Sequence, residues 1–136
     1  MSYVFDTSSL MAVLLDDESP EIDVLFDEHT VELTFYEAGN VLWKAGQLQE
    51  RIDADETQQL VGIVEDLRLE LVVHGLAELG TKAVLETAIE CDLTFYDAAY
   101  LRCAETLTAT LVTEDRELRK AARERVAVCG VDEVVE

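Results

Sequence analysis

The chain has 136 residues, of which 49% are hydrophobic, enough to bury one core without disulfide or metal staples. A disordered polar chain is excluded, and no stretch approaches the roughly 18 consecutive apolar residues of a membrane span. Thirty Asp and Glu against ten Lys and Arg give a formal net charge of −20, a field that repels polyanions but suits a halophilic protein, because strong salt screens it. The cysteines Cys91, Cys103 and Cys129 are odd in number and lack C-x-x-C spacing, which argues against a secreted disulfide framework and a zinc knuckle. Met1 to Asp6 lacks the basic start of a signal peptide. A soluble, cytoplasmic protein with reduced thiols and no membrane partner is expected.

In chain order, Tyr3-Val4-Phe5 reads as a short apolar strand running into Asp6. Ser8 and Ser9 are candidate caps for a helix bearing Leu10, Val13 and Leu14. Pro20 suits the opening of a short helix through Phe26, and Val31-Glu32-Leu33 reads as a strand. Thr34 then caps a helix to about Gly46, and Asp53 starts a longer one with Leu60, Ile63, Val64 and Leu67 at helical spacing. Leu69 to Val73 is strand-like, and His74-Gly75 turns into a helix ending near Glu90. Thr94 opens a helix to about Thr106, Thr110-Leu111-Val112 is a strand, and a helix leaves Asp115 before a last strand at Val126-Ala127-Val128. This alternation predicts one α/β domain over residues 1–136, a parallel sheet covered by helices on both faces.

Two segments echo each other: Thr34-Phe35-Tyr36-Glu37-Ala38 and Thr94-Phe95-Tyr96-Asp97-Ala98. A Thr followed three residues later by an acid resembles a capping box, so helix capping alone accounts for Glu37 and Asp97. Asp115 is likewise an ordinary candidate for an N-cap. Asp6 has no such routine duty at the end of an apolar strand. Together the four acids carry a different implication. Asp6 and Asp115 stand at C-terminal strand ends, where open α/β sheets bind ligands, and Glu37 and Asp97 stand in first helical turns. Carboxylates converging there repel one another unless a cation intervenes, and such hard oxygen ligands suit Mg²⁺ or Mn²⁺.

The segments Val4 to Leu10, Tyr36 to Lys44, Phe95 to Tyr100 and Leu111 to Asp115 resemble the successive motifs of a PIN domain, most closely the VapC-type toxin branch of toxin–antitoxin systems. The resemblance runs from Val4 to about Val128. It implies a PIN-like three-layer α/β/α sandwich with a central parallel sheet, and Mg²⁺-dependent endonucleolytic cleavage of RNA. Asp6, Glu37, Asp97 and Asp115 then correspond to the catalytic, metal-holding quartet. Thr7, Ser8, Asn40 and Thr113 match supporting positions. A small antitoxin partner and a homodimer are also implied by the resemblance alone.

Five of the ten basic residues fall between Arg116 and Arg125, and Arg116, Arg119, Lys120 and Arg123 share one helical stripe. A solvated helix face explains this as well as a phosphate-docking edge for RNA does. His29 and His74 lack metal-ligand spacing and are expected at the surface or at strand ends, and Trp43 is expected in the core or an interface. The glycines form no phosphate-binding loop, and neither the serines nor Cys103 show a nucleophile motif. A phosphatase of the aspartyl-phosphate type needs an acid where Ser8 stands, and a receiver domain needs a late strand-end lysine that is missing. A housekeeping PIN nuclease of RNA maturation or decay, and a non-catalytic RNA- or protein-binding module, remain as alternatives.

Overall fold

The computed structural model describes residues 1–134. In chain order the elements are β1 (Tyr3–Phe5), α1 (Thr7–Leu15), a 3₁₀ turn (Ile22–Leu25), β2 (His29–Val31) and α2 (Leu33–Trp43). A π turn (Lys44–Leu48), α3 (Ala54–Glu70), β3 (Val72–His74), α4 (Leu76–Leu79) and α5 (Thr81–Cys91) follow. The chain continues through α6 (Phe95–Leu107), β4 (Thr110–Val112), α7 (Arg116–Ala122), β5 (Val128–Cys129) and a 3₁₀ turn (Val131–Glu133).

The five strands form one parallel sheet in the order β3-β2-β1-β4-β5. Side chains alternate across it, as the two-residue period of a strand requires. Val4, Val31 and Leu111 pack under α4 to α7, with Val84, Leu101 and Leu118. Tyr3, Phe5 and Val112 pack on the other face against α1, α2 and α3, with Leu10, Leu42 and Leu67. The expected three layers are therefore present. The central strand β1 is buried throughout because helices cover both of its faces.

Several local expectations need correction. Asp6, not Ser8 or Ser9, caps α1: its backbone is extended and its carboxylate accepts from the Ser9 amide. The second strand ends at Val31, since Glu32 already has helical angles and α2 begins at Leu33. Thr34 is consequently inside the helix and not its cap. Residues 69 and 70 extend α3, which leaves β3 to start at Val72. The short turn before β2 is 3₁₀ and begins at Ile22, beyond Pro20. One helix was expected after His74, yet Gly80, with φ of 86°, divides it into α4 and α5. The last strand is displaced to Val128–Cys129. Asp53, Thr94 and Asp115 do cap their helices, and Asp53 forms a full capping box with Glu56.

Among the described residues no helix is long and apolar enough to cross a membrane. The three cysteines are free thiols, and burial pushes Cys103 up to about 12, so it is inert as a nucleophile.

Candidate active site

β1 is flanked by β2 on one side and β4 on the other, and the chain order reverses there. Such a reversal opens a crevice beyond the strands' carboxyl ends. Asp6 leaves β1 and Thr113-Glu114-Asp115 leaves β4 at this crevice. The register pairs Phe5 with Val112, so the two loops emerge side by side.

Asp6 is only 5% exposed, yet its carboxylate is well supplied with donors. Oδ1 accepts from Ser8 Oγ at 2.7 Å, the Ser9 amide at 2.9 Å and Ser9 Oγ at 3.0 Å. Oδ2 accepts from Thr113 Oγ1 at 2.5 Å. Burial raises its pKa, and these hydrogen bonds, Thr113's first, oppose the rise. Asp6 therefore both caps α1 and presents a carboxylate at the crevice.

Glu37 is held from two elements. Thr7 Oγ1, in the first turn of α1, and the Tyr100 hydroxyl, on α6, each donate to Glu37 Oε1 at 2.7 Å. Tyr100 is buried, and desolvation pushes its phenol far above its ordinary value, so it stays a donor. Behind it, Thr34 Oγ1 lies 2.8 Å from the Tyr100 hydroxyl and 2.7 Å from Thr30 Oγ1, which donates to the Phe5 carbonyl at 2.8 Å. This buried hydroxyl chain ties α2 and α6 to the end of β1.

Asp97 follows its Thr94 cap, whose Oγ1 accepts the Asp97 amide at 3.1 Å. Its carboxyl is raised above the usual carboxylate range, first by burial and then by repulsion from Asp115, Asp6 and Glu37. All four acids thus share one electrostatic neighbourhood. Asp115 is exposed and caps α7, Oδ1 accepting from the Glu117 and Leu118 amides at 2.9 and 3.3 Å.

Three of the four supporting residues touch these carboxylates: Thr7 holds Glu37, while Ser8 and Thr113 hold Asp6. Asn40 is exposed, one turn beyond Glu37 on α2. The basic stripe divides. Arg119 turns back, donating through Nη2 to the Thr113 carbonyl at 2.7 Å, whereas Arg116, Lys120 and Arg123 are exposed.

The PIN domain family model matches residues 3–124. The chain belongs to the PIN domain family. A relative from Pyrobaculum aerophilum named ribonuclease VapC3 is 32% identical over 126 residues, covering 87% of this chain and 92% of its own length. Another from the same organism, named exonuclease VapC9, is 40% identical over 89 residues; the match covers 65% of this chain and 62% of that relative. The crystal structure of PAE2754 from Pyrobaculum aerophilum matches with a TM-score of 0.76 at 32% identity, covering 97% of this chain and 85% of that one. VapBC2 from Rickettsia felis, solved bound to a DNA fragment from their promoter, shares the fold at a TM-score of 0.67 and 14% identity, covering 96% and 98% of the two chains.

Does this PIN domain's donor set fit a metal? Among the described residues, no three His, Cys, Asp or Glu side chains close on one point as a ready-made cage. Mg²⁺ does not require one, since it keeps several waters and is bound through one or two carboxylates. Hard oxygen donors, a buried Asp6 and a mutually repelling Asp97 suit a cation of that kind.

Residues that sequence reasoning missed are the supports around the acids. Tyr100 could have been found three residues after Asp97, on the same helical face. Ser9 donates through Oγ to the Val112 carbonyl at 2.7 Å, fastening β1 to β4. Glu114 Oε2 accepts the Val131 amide at 3.1 Å, and a Cβ at Gly130 would lie 2.9 Å from Arg119 Nη2, so a larger residue there would push that guanidinium aside. His29 and His74 instead form a hydrogen bond at 2.9 Å between Nδ1 and Nε2, with His74 bonded to Glu78. His74 ends its strand as expected. Trp43 is 50% exposed, which excludes the core.

Proposed function

We propose that the chain is a Mg²⁺- or Mn²⁺-dependent endoribonuclease, the cytoplasmic toxin of a toxin–antitoxin pair. The observation that carries this reading is the gathering of four acids at a sheet's switch point, where the Asp97 carboxyl is raised first by burial and then by Asp115, Asp6 and Glu37. Structural capping accounts for Asp6 and Asp115 singly, but gives no reason to gather four like charges. The VapC names of two relatives support the toxin assignment and an antitoxin partner.

Asp6, Asp97, Asp115 and Glu37 would hold the cation, one or two of them directly and the others through its waters. When bound, it would neutralise charge growing on the phosphoryl oxygens and lower the pKa of water. Hydrolysis adds one water across one P–O bond: the water oxygen bonds to phosphorus, and the departing ribose oxygen takes a proton. The chain's own part is positional. Ser8, Ser9 and Thr113 fix both oxygens of Asp6, and Thr7 with Tyr100 fixes Glu37. Arg116, Lys120 and Arg123 offer phosphate contacts on the edge next to Asp115, where they offset the surrounding acidity. A homodimer would place two such edges in one assembly.

The name of VapC9 favours a second reading, an exonuclease. A covalently closed circular RNA separates the two, because it has no end. Linearisation in Mg²⁺, abolished by EDTA, is the expected result; cleavage confined to linear RNA would leave only the exonuclease.

A further inference from the structure

The basic stripe on α7 is interrupted at Arg119, and the interruption points back at the acids. Arg116, Lys120 and Arg123 are exposed, whereas Arg119 reaches back past the start of α7 and donates through Nη2 to the Thr113 carbonyl at 2.7 Å. Its Nε is buried and meets no acceptor among the described residues. An arginine that serves phosphates from solvent keeps its whole fork of donors in water. This one leaves a buried donor unpaired to reach a single carbonyl.

That carbonyl holds a particular place. Thr113 is the first residue after β4 and is wholly buried. Its amide donates to the Cys129 carbonyl at 3.1 Å, and its hydroxyl links Asp6 to the Asp115 amide. The sheet ladder ends there, so its own carbonyl needs a donor from elsewhere. The peptide bearing this carbonyl leads into Glu114, whose amide donates to Ser8 Oγ at 2.9 Å, and Ser8 in turn donates to Asp6. A rotation of that one peptide moves Asp115 and loosens the grip on Asp6 together. Glu114 supplies the outer fastening: its Oε2 lies 3.5 Å from Arg119 Nη2 and accepts the Val131 amide. Val131 is 2% exposed and belongs to the core that holds Phe5 and Leu10, so the anchor is rigid.

Resting on the nuclease reading, we infer that Arg119 is a positioning residue, which fixes the Thr113–Glu114 peptide and through it sets Asp115 against Asp6 for one cation, with the C-terminal turn as anchor. It makes no contact with RNA. Two simpler roles predict different behaviour. Satisfying a buried carbonyl would alone add stability and leave metal affinity untouched. A cationic group beside the acids would alone weaken cation binding, so its removal would tighten it. Positioning has the opposite sign: removal of the guanidinium loosens the metal.

The test uses the whole protein and Arg119→Met, which keeps the apolar stem and removes every donor. Mn²⁺ binding is measured by calorimetry, Mg²⁺-dependent RNA cleavage as kcat and KM, and folding by a melting curve. Residues that orient metal ligands typically carry about 10- to 100-fold in affinity or activity. Mn²⁺ binding and kcat are expected to fall by that factor, with KM unchanged. Arg119→Lys keeps the charge but lacks the planar fork that meets the carbonyl and Glu114 together, so its Mn²⁺ affinity should lie between the two. If the methionine variant does not fold, the lysine variant decides alone, and wild-type affinity in it overturns the inference. A lower melting temperature with unchanged Mn²⁺ affinity and kcat makes Arg119 a structural prop only. Tighter Mn²⁺ binding makes it a bare charge, and a raised KM at unchanged kcat makes it an RNA contact; each of these three overturns the inference. A wild type that cuts no RNA counts against the nuclease, and the Mn²⁺ affinities still decide the role of Arg119.

Discussion

Thr113 Oγ1 donates to Asp6 Oδ2 at 2.5 Å, joining residues 107 positions apart at the carboxyl ends of the two central strands. The same oxygen accepts the Asp115 amide at 3.1 Å. One buried hydroxyl thus sets the relative position of the first and last acids. Thr113→Val keeps the side chain's shape and removes both roles. Losing a donor to a buried carboxylate costs about 1–3 kcal/mol, so thermal unfolding should occur well below the wild-type temperature, with slower RNA cleavage. Thr113→Ser should restore both. An unaltered melting temperature in the valine variant would show that the bond contributes nothing.

Tyr100→Phe removes one of the two hydroxyl donors on Glu37 while keeping the buried ring. RNA cleavage is expected to slow by about tenfold, the equivalent of one lost hydrogen bond of about 1.4 kcal/mol. If the rate is unchanged, Thr7 alone suffices to position Glu37.

Asp97 provides a pH signature. Burial first, and then Asp115, Asp6 and Glu37, raise its folded-state pKa above the ordinary 3.8. The folded chain then binds that proton more tightly than the unfolded chain does. The contribution is therefore fully present at acidic pH and is lost as pH rises from the ordinary carboxylate range through the raised value. Asp97→Asn abolishes the loss. Without divalent metal, the variant should melt above the wild type at neutral pH, and the gap should close on acidification. A variant less stable than wild type at neutral pH would contradict the repulsion.

Salt tests the −20 charge. Raising KCl from about 0.1 M to about 1 M shortens the Debye length from about 10 Å to about 3 Å. Melting temperature should rise by several degrees as self-repulsion is screened. A flat or falling curve would separate the acidic surface from any adaptation to salt.

The alternation of apolar runs made the layered fold and the parallel sheet legible, because strands buried on both faces leave short continuous apolar stretches such as Tyr3-Val4-Phe5. The four acids were legible through their places at strand ends and helix starts. Local signals misled where a side chain had a distant partner. Thr34 looks like Thr94, yet its hydroxyl lies against Thr30 and Tyr100, across 66 positions in the latter case. Ser8 and Ser9 are generic caps no better than Asp6, and both hydroxyls bond to Asp6 itself. Arg119 belongs to a helical stripe by spacing, while the Thr113 carbonyl beneath it draws the guanidinium inward. Tyr100 lies 66 positions from Thr34, and the Thr113 carbonyl lies six from Arg119, so helical periodicity could not report either contact.

The central claim is that four carboxylates act together on a divalent cation to cut RNA. It is tested most directly by the Mg²⁺-dependent cleavage rate of wild type beside Asp97→Asn, each checked for folding by its melting curve. The expected result is metal-dependent cleavage by wild type, stopped by EDTA, and a rate at least about 100-fold lower in a variant that melts no lower than wild type. Equal rates in the two folded proteins would contradict it.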